Sequence, residues 1–147
     1  MSEKTIARLL QAKELHSRIA KKNVTEALHE LAQIQAIIKN LEDQLAIKKN
    51  EAPKKRARAF SKALASELTV TTYTNVCNIY EIIDKEILTH SNTIVKNKND
   101  EQFAITKLKR AQQKMAQCLQ KEEKIRQLAT IKGREVAVRT ELLGEDA

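Results

Sequence analysis

Pro53, Gly133 and Gly144 are the whole proline and glycine content of this 147-residue chain. Glycine reaches the backbone conformations that tight turns need, and proline both fixes φ and removes a backbone donor. A chain with so few of either has little means of reversing direction often. It must place most of its length in long, uninterrupted elements. Aromatic residues make up 3% with no Trp, and charged residues make up 31%. Large rings normally fill a compact core, whereas this mixture is typical of long helices and coiled coils. The expected fold class is all-α.

Hydrophobic spacing supports this. Val24, Ala27, Leu31, Ile34, Ile38, Leu41 and Leu45 step alternately by three and four residues. That is the heptad spacing of a coiled-coil seam, held for three heptads. Toward the N-terminus the stripe widens into Ile6, Leu9, Leu10, Leu15 and Ile19, with Ser2 as an expected N-cap ahead of Glu3. The same spacing returns at Ala104, Leu108, Ala111, Met115, Cys118, Glu122, Ile125 and Ala129. Between the two runs, Val76, Ile79, Ile83, Ile87, His90 and Ile94 form a further helical stripe.

Three places interrupt the pattern. Pro53 predicts a kink or break near residues 49–53. The polar, Asn-rich stretch 91–100 predicts a second bend, with Asn99 or Asp100 able to cap a new helix from Glu101. The run LTVTTYTN, residues 68–75, is rich in Cβ-branched side chains, which lose χ1 freedom in a helix. It lies at the midpoint of the chain, where a reversal would bring the two heptad stripes together. The expectation is a long antiparallel two-helix hairpin, a single domain over 1–147. Its arms cover about 3–67 and 76–142, its tip lies near 68–75, and it ends in a short acidic tail, Glu145-Asp146. Reflecting the chain about Thr71 pairs Val24 with Cys118, Ala27 with Met115, Leu31 with Ala111, Ile34 with Leu108 and Ile38 with Ala104. Leu68 and Val76 would staple the two sides of the tip. Gly133 would fray the last helix, and Gly144 would end it.

No constellation of catalytic or cofactor-binding residues is visible. Two glycines cannot build a phosphate loop, and His16, His29 and His90 stand far apart, in no HExxH pattern. In the reflected register none of the three meets a Cys or another His, so each is read as a surface or seam-edge residue. Cys77 and Cys118 form no CxxC motif and have the expected role of small seam residues. The carboxylates sit mostly at helix-pairing distance from Lys or Arg, as Glu122 and Glu123 do from Arg126. No enzyme, metal site or cofactor is expected. The N-terminus lacks an apolar signal-type region and no segment approaches the ~18 apolar residues of a membrane span. A cytosolic protein without direct membrane insertion is the expectation.

The net charge is +8, with acidic and basic residues interleaved along the chain. Only Lys54-Lys55-Arg56-Ala57-Arg58 is dense enough to suggest phosphate contact or a localisation signal. No aromatic platform accompanies it, so nucleic acid is not the expected partner.

The opening IARLLQAKELHSRIAKKNVTEAL and the closing EKIRQLATIKGREVAVRTELLGEDA, in a basic, Gly-poor chain that folds back at its centre, resemble the YscO/FliJ-type stalk proteins of type III secretion and flagellar export. The resemblance implies an antiparallel coiled-coil stalk. Such a stalk would enter the pore of a hexameric secretion ATPase, stimulate it, and link it to a membrane export gate and to substrate chaperones. It would work at the cytoplasmic face of the membrane. The candidate partner-contacting residues are Thr69, Val70, Thr72 and Tyr73 at the tip, with Tyr73 a docking handle for the export gate. Lys54, Lys55, Arg56 and Arg58 of the basic run, and Arg134 and Arg139 near the C-terminus, complete the set. Two other readings are a generic coiled-coil adaptor or chaperone scaffold and a basic nucleic-acid-binding helical protein.

Overall fold

The computed structural model describes residues 2–145 and contains two helices, α1 (Glu3–Ala65, 63 residues) and α2 (Val70–Glu145, 76 residues). They pack against each other as a hairpin. The all-α hairpin expected from the heptads is therefore the fold.

Ser2 caps α1: its Oγ accepts from the backbone N–H of Thr5 at 3.1 Å, and its carbonyl accepts from Ile6 N–H at 3.0 Å. The heptad stripe then runs farther than the sequence alone suggested. Buried or half-buried side chains follow a three-four rhythm along α1 from Leu10 through Lys13, Ser17, Ala20 and Val24 as far as Ala52. Along α2 the rhythm runs from Val76 to Lys132. The stripe uses Tyr80 where Ile79 was expected, and Ile79 is exposed. The most buried apolar side chains are Ile6, Ala20, Val24, Ala27, Ile38, Ala52, Ala63, Ile83, Ile94 and Ala104. Half of these are Ala, and none of the large side chains described is fully buried. Two helices can shield only a narrow seam, so each layer removes modest apolar area from water.

The reversal is shorter than expected and lies nearer the N-terminus. Only residues 66–69 are non-helical; Val70 through Asn75, assigned to the tip from sequence, already form the first turns of α2. The threonines explain the difference. Thr69 Oγ1 accepts from Thr72 N–H at 3.2 Å as the N-cap, and Thr72 Oγ1 donates to the Glu67 carbonyl at 3.1 Å. Thr74 Oγ1 donates back to the Val70 carbonyl at 2.8 Å. Hydroxyls that compete with a helix in its interior serve it at its start. Across the turn, Ser66 Oγ donates to the carbonyls of Lys62 and Ala63, and Thr69 N–H reaches the Glu67 carbonyl at 2.9 Å. None of the described residues has positive φ, so the turn needs no glycine. Leu68 stays exposed and makes no staple with the half-buried Val76.

Neither expected bend interrupts a helix. α1 is unbroken through Pro53, whose missing N–H leaves the carbonyl of the exposed Lys49 to solvent. α2 runs unbroken through 91–100, and no new helix starts at Glu101. There Ser91 Oγ, Thr93 Oγ1 and Asn97 Nδ2 donate to carbonyls one turn back, at 2.8–2.9 Å, while Ile94 stays buried in the seam. Local polar competition is absorbed inside the helix. α2 also continues through Gly133 and Gly144. Of the expected acidic tail, Asp146 lies outside the described residues.

The helices pack as two units. One consists of α1 up to Glu30 with α2 from Ala104 onward; the other spans Leu31–Phe103 and contains the turn. In the first unit Lys107 bonds Glu30 at 2.9 Å, and Arg126 reaches Glu14 at 3.7 Å. Cys118 there shares a groove with Ile19, Ala20 and Asn23; Ala20 lies one helical turn before Val24, the expected opposite of Cys118. Moving the turn from Thr71 to 66–69 shifts the register in this sense. In the second unit Lys98 meets Glu42 at 3.3 Å, and Arg56 pairs with Asp84.

Candidate interaction surfaces

The residues chosen from sequence fall into structural and solvent-facing groups. At the turn, Thr69 and Thr72 are capping residues, occupied with backbone groups. Val70 and Tyr73 point outward and are 83% and 68% exposed. Phe60, Leu64 and Leu68 are exposed beside them in sequence. The turn region thus presents apolar side chains that the hairpin itself does not use.

The basic run also divides. Arg56 is the structural member: it pairs with Asp84 across the hairpin, and its guanidinium lies 5.9 Å from the Tyr80 ring centroid. The Tyr80 hydroxyl donates to the Arg56 carbonyl at 3.4 Å. Lys55 sits 4.0 Å from Glu51 on its own helix. Lys54 is exposed, and Lys55 and Arg58 line a groove with Lys62, Ile82 and Glu86. The run is therefore not one continuous phosphate-binding strip.

Arg134 and Arg139 lie on the last turns of α2, where every residue from 133 to 144 is exposed. The cross-arm ion pair nearest this end joins Arg126 to Glu14. Beyond it, Leu128, Ile131, Val138 and Leu142 recur at intervals of three, seven and four residues and remain 46–57% exposed. Between Ile131 and Val138 the same stripe carries Glu135, which is 3.6 Å from Lys132. This second apolar stripe had escaped sequence reading, although the spacing alone would reveal it.

Glu122 and His90 stood in the expected stripes, but the polar residues of the N-terminal seam were missed. Counting heptads back from Val24 and Ala27 reaches Ser17 and Lys13, and both occupy seam positions. Ser17 is 2% exposed, and its hydroxyl has no hydrogen-bond partner. Glu122 is buried at its own seam position and is held by Arg126 at 2.5 Å. His90 is half-buried and bonded across the hairpin, whereas His16 and His29 are exposed. His16 lines the same groove as Cys118. Cys77 is exposed and is not a seam residue; both thiols are free.

Among the described residues no group of three His, Cys, Asp or Glu side chains could hold a metal ion. None of the described helices is long and apolar enough to cross a membrane. The surface offers charged grooves and apolar stripes suited to protein contacts.

The architecture matches a solved one. The type III secretion protein YscO from Vibrio parahaemolyticus, known from a 2.8 Å crystal structure, superposes with a TM-score of 0.83. The match covers 98% of this chain and 93% of that one, at 21% sequence identity. The two chains share a fold. No protein-family model matches the sequence, and no curated protein matches it either. Shared geometry at low identity follows from the heptad pattern, since many side-chain choices satisfy the same seam.

Proposed function

We propose that this chain is the non-enzymatic stalk of a type III secretion or flagellar export apparatus. In this role it binds a hexameric secretion ATPase, stimulates it, and couples it to the export gate and to substrate chaperones at the cytoplasmic face of the membrane. The observation carrying the reading is the hairpin itself, matched along nearly its whole length to YscO. Function lives in sites more than in folds, so the surface matters too. The seam is closed within one chain, and the outward faces mix Lys, Glu and small residues. Exposed ion pairs are individually worth about 0–1 kcal/mol, so such a surface can make many weak, exchangeable contacts with a ring. The net charge of +8 favours capture by an acidic lining and makes that capture salt-sensitive.

The deciding experiment adds the purified chain to the secretion ATPase of its own source. Stimulated hydrolysis and co-sedimentation with the hexamer are expected; absence of both would overturn the reading. A seam satisfied within one chain also disfavours an adaptor that shares its seam between two copies. Sedimentation equilibrium should give a monomer mass at micromolar concentration.

A further inference from the structure

In the unit formed by the first half of α1 and the second half of α2, a groove runs between the helices. Lys13, His16, Ile19, Ala20 and Asn23 line it from α1, and Lys114, Cys118 and Lys121 line it from α2. Its chemistry is one-sided: three ammonium groups, an imidazole and a carboxamide, without a lining carboxylate. None of Lys13, Lys114 and Lys121 takes part in a described ion pair. The carboxylates that could neutralise them are engaged elsewhere, because Glu14 and Glu122 both lie on Arg126. The depression arises where Ala20 and the half-buried Cys118 put small side chains into the seam. Ile19, 49% exposed, adds apolar surface beside them.

We infer that this groove is a docking site for an acidic, amphipathic helical segment of a protein partner. The lysines receive its carboxylates, while Ile19, Ala20 and Cys118 receive one or two of its apolar side chains. Its lining residues span 13 to 23 on α1, roughly 15 Å at 1.5 Å per residue, which suits about three turns of helix. Helix-in-groove recognition uses this combination of an apolar floor and charged margins. The lining has no Phe, Tyr or Trp ring on which a base could stack, and no arginine to grip phosphate in a bidentate fork. Those absences favour carboxylates on a peptide over a nucleic-acid strand. The inference rests on the groove and stands apart from the stalk reading.

The test uses the full chain and a fluorescein-labelled helical peptide with Leu on one face and Glu elsewhere, followed by fluorescence anisotropy at low salt. The triple substitution Lys13→Gln, Lys114→Gln, Lys121→Gln should weaken binding about tenfold, as three partly exposed charge pairs would. A control triple with the same charge change on exposed lysines outside the groove, Lys39→Gln, Lys49→Gln, Lys109→Gln, should weaken it less than about twofold. Lys13 is half-buried, so the double variant Lys114→Gln, Lys121→Gln, set against Lys39→Gln, Lys109→Gln, repeats the comparison at equal charge change without touching Lys13. Equal losses in the groove and control variants would overturn the site, as would failure of the unaltered chain to bind the peptide. Tighter, groove-dependent binding of a twelve-nucleotide thymidine strand would overturn the choice of partner. None of these outcomes involves an ATPase, so they leave the stalk reading to its own test.

Discussion

His90 Nε2 lies 2.7 Å from the main-chain carbonyl oxygen of Leu41 on the opposite helix. A carbonyl only accepts, so Nε2 carries the hydrogen; Nδ1 is then free to accept from Lys48 Nζ, 3.5 Å away. One neutral tautomer serves both contacts. His90 occupies a seam position and ties its layer to one particular place on α1. Replacing it with Ala should destabilise the hairpin by about 1–2 kcal/mol, the cost of a lost partly buried hydrogen bond and the packing around it. Urea unfolding followed by circular dichroism measures the change.

Ser17 makes the opposite contribution. Its hydroxyl is buried without a partner, and an unsatisfied buried polar group costs about 1–3 kcal/mol. Ser17→Ala keeps the small volume, improves helix propensity and removes the unsatisfied group. We expect a gain of about 1 kcal/mol in urea. A loss of stability would mean that the hydroxyl has a partner in solution.

Pro53→Ala should also stabilise. Proline inside a helix costs about 3 kcal/mol through its missing donor and ring clash, offset by about 0.4–1 kcal/mol from its stiffening of the unfolded chain. Residue 53 and Lys49, whose carbonyl would regain a donor, are both exposed, so the new N–H can bond without repacking. A net gain of about 2 kcal/mol is expected.

Pro53 and the Asn-rich stretch also mark the boundary of what the sequence discloses. Heptad spacing revealed the hairpin and most of its seam, because a three-four rhythm has few other solutions. It did not reveal helix continuity across local breakers. Continuity there depends on solvent at Lys49 and on side-chain bonds such as Asn97 to the Thr93 carbonyl, both decided by the folded context. The turn was misplaced for a related reason. The threonines of 69–74 were expected to cap the returning helix, and Thr69 does so, but their poor interior helix propensity placed the start of α2 at Val76 instead of Val70. Of the candidate contact residues, Val70 and Tyr73 proved to be free surface, while Arg56 belongs to a cross-helix pair with Asp84. Residue type alone could not separate these roles, because pairing across helices depends on register.

That division of roles at the turn is measurable. Thr69→Ala removes the cap of α2 and should cost about 1 kcal/mol of stability. Val70→Ser and Tyr73→Ser alter side chains exposed by more than two thirds, so together they should change stability by no more than about 0.5 kcal/mol. If the turn docks on an export gate, only the Val70→Ser, Tyr73→Ser variant will abolish co-purification with that membrane protein while the melting curve is unchanged.

The far end of α2 separates folding from function in the same way. Residues 133–144 are exposed throughout, so ending the chain after Lys132 should leave the unfolding free energy from urea titration within about 0.5 kcal/mol of the full chain. The truncation nevertheless removes Val138, Leu142 and Leu143, which stay 54–72% exposed, together with Arg134 and Arg139. An unpaired helix end that carries an apolar stripe and two free-standing arginines is better suited to a partner than to the hairpin. On the stalk reading, the truncated chain should fold normally yet lose most of its capture by the secretion ATPase in co-sedimentation. Unaltered capture would place the ATPase contact elsewhere on the hairpin, and a large stability loss would show that the helix end packs in solution.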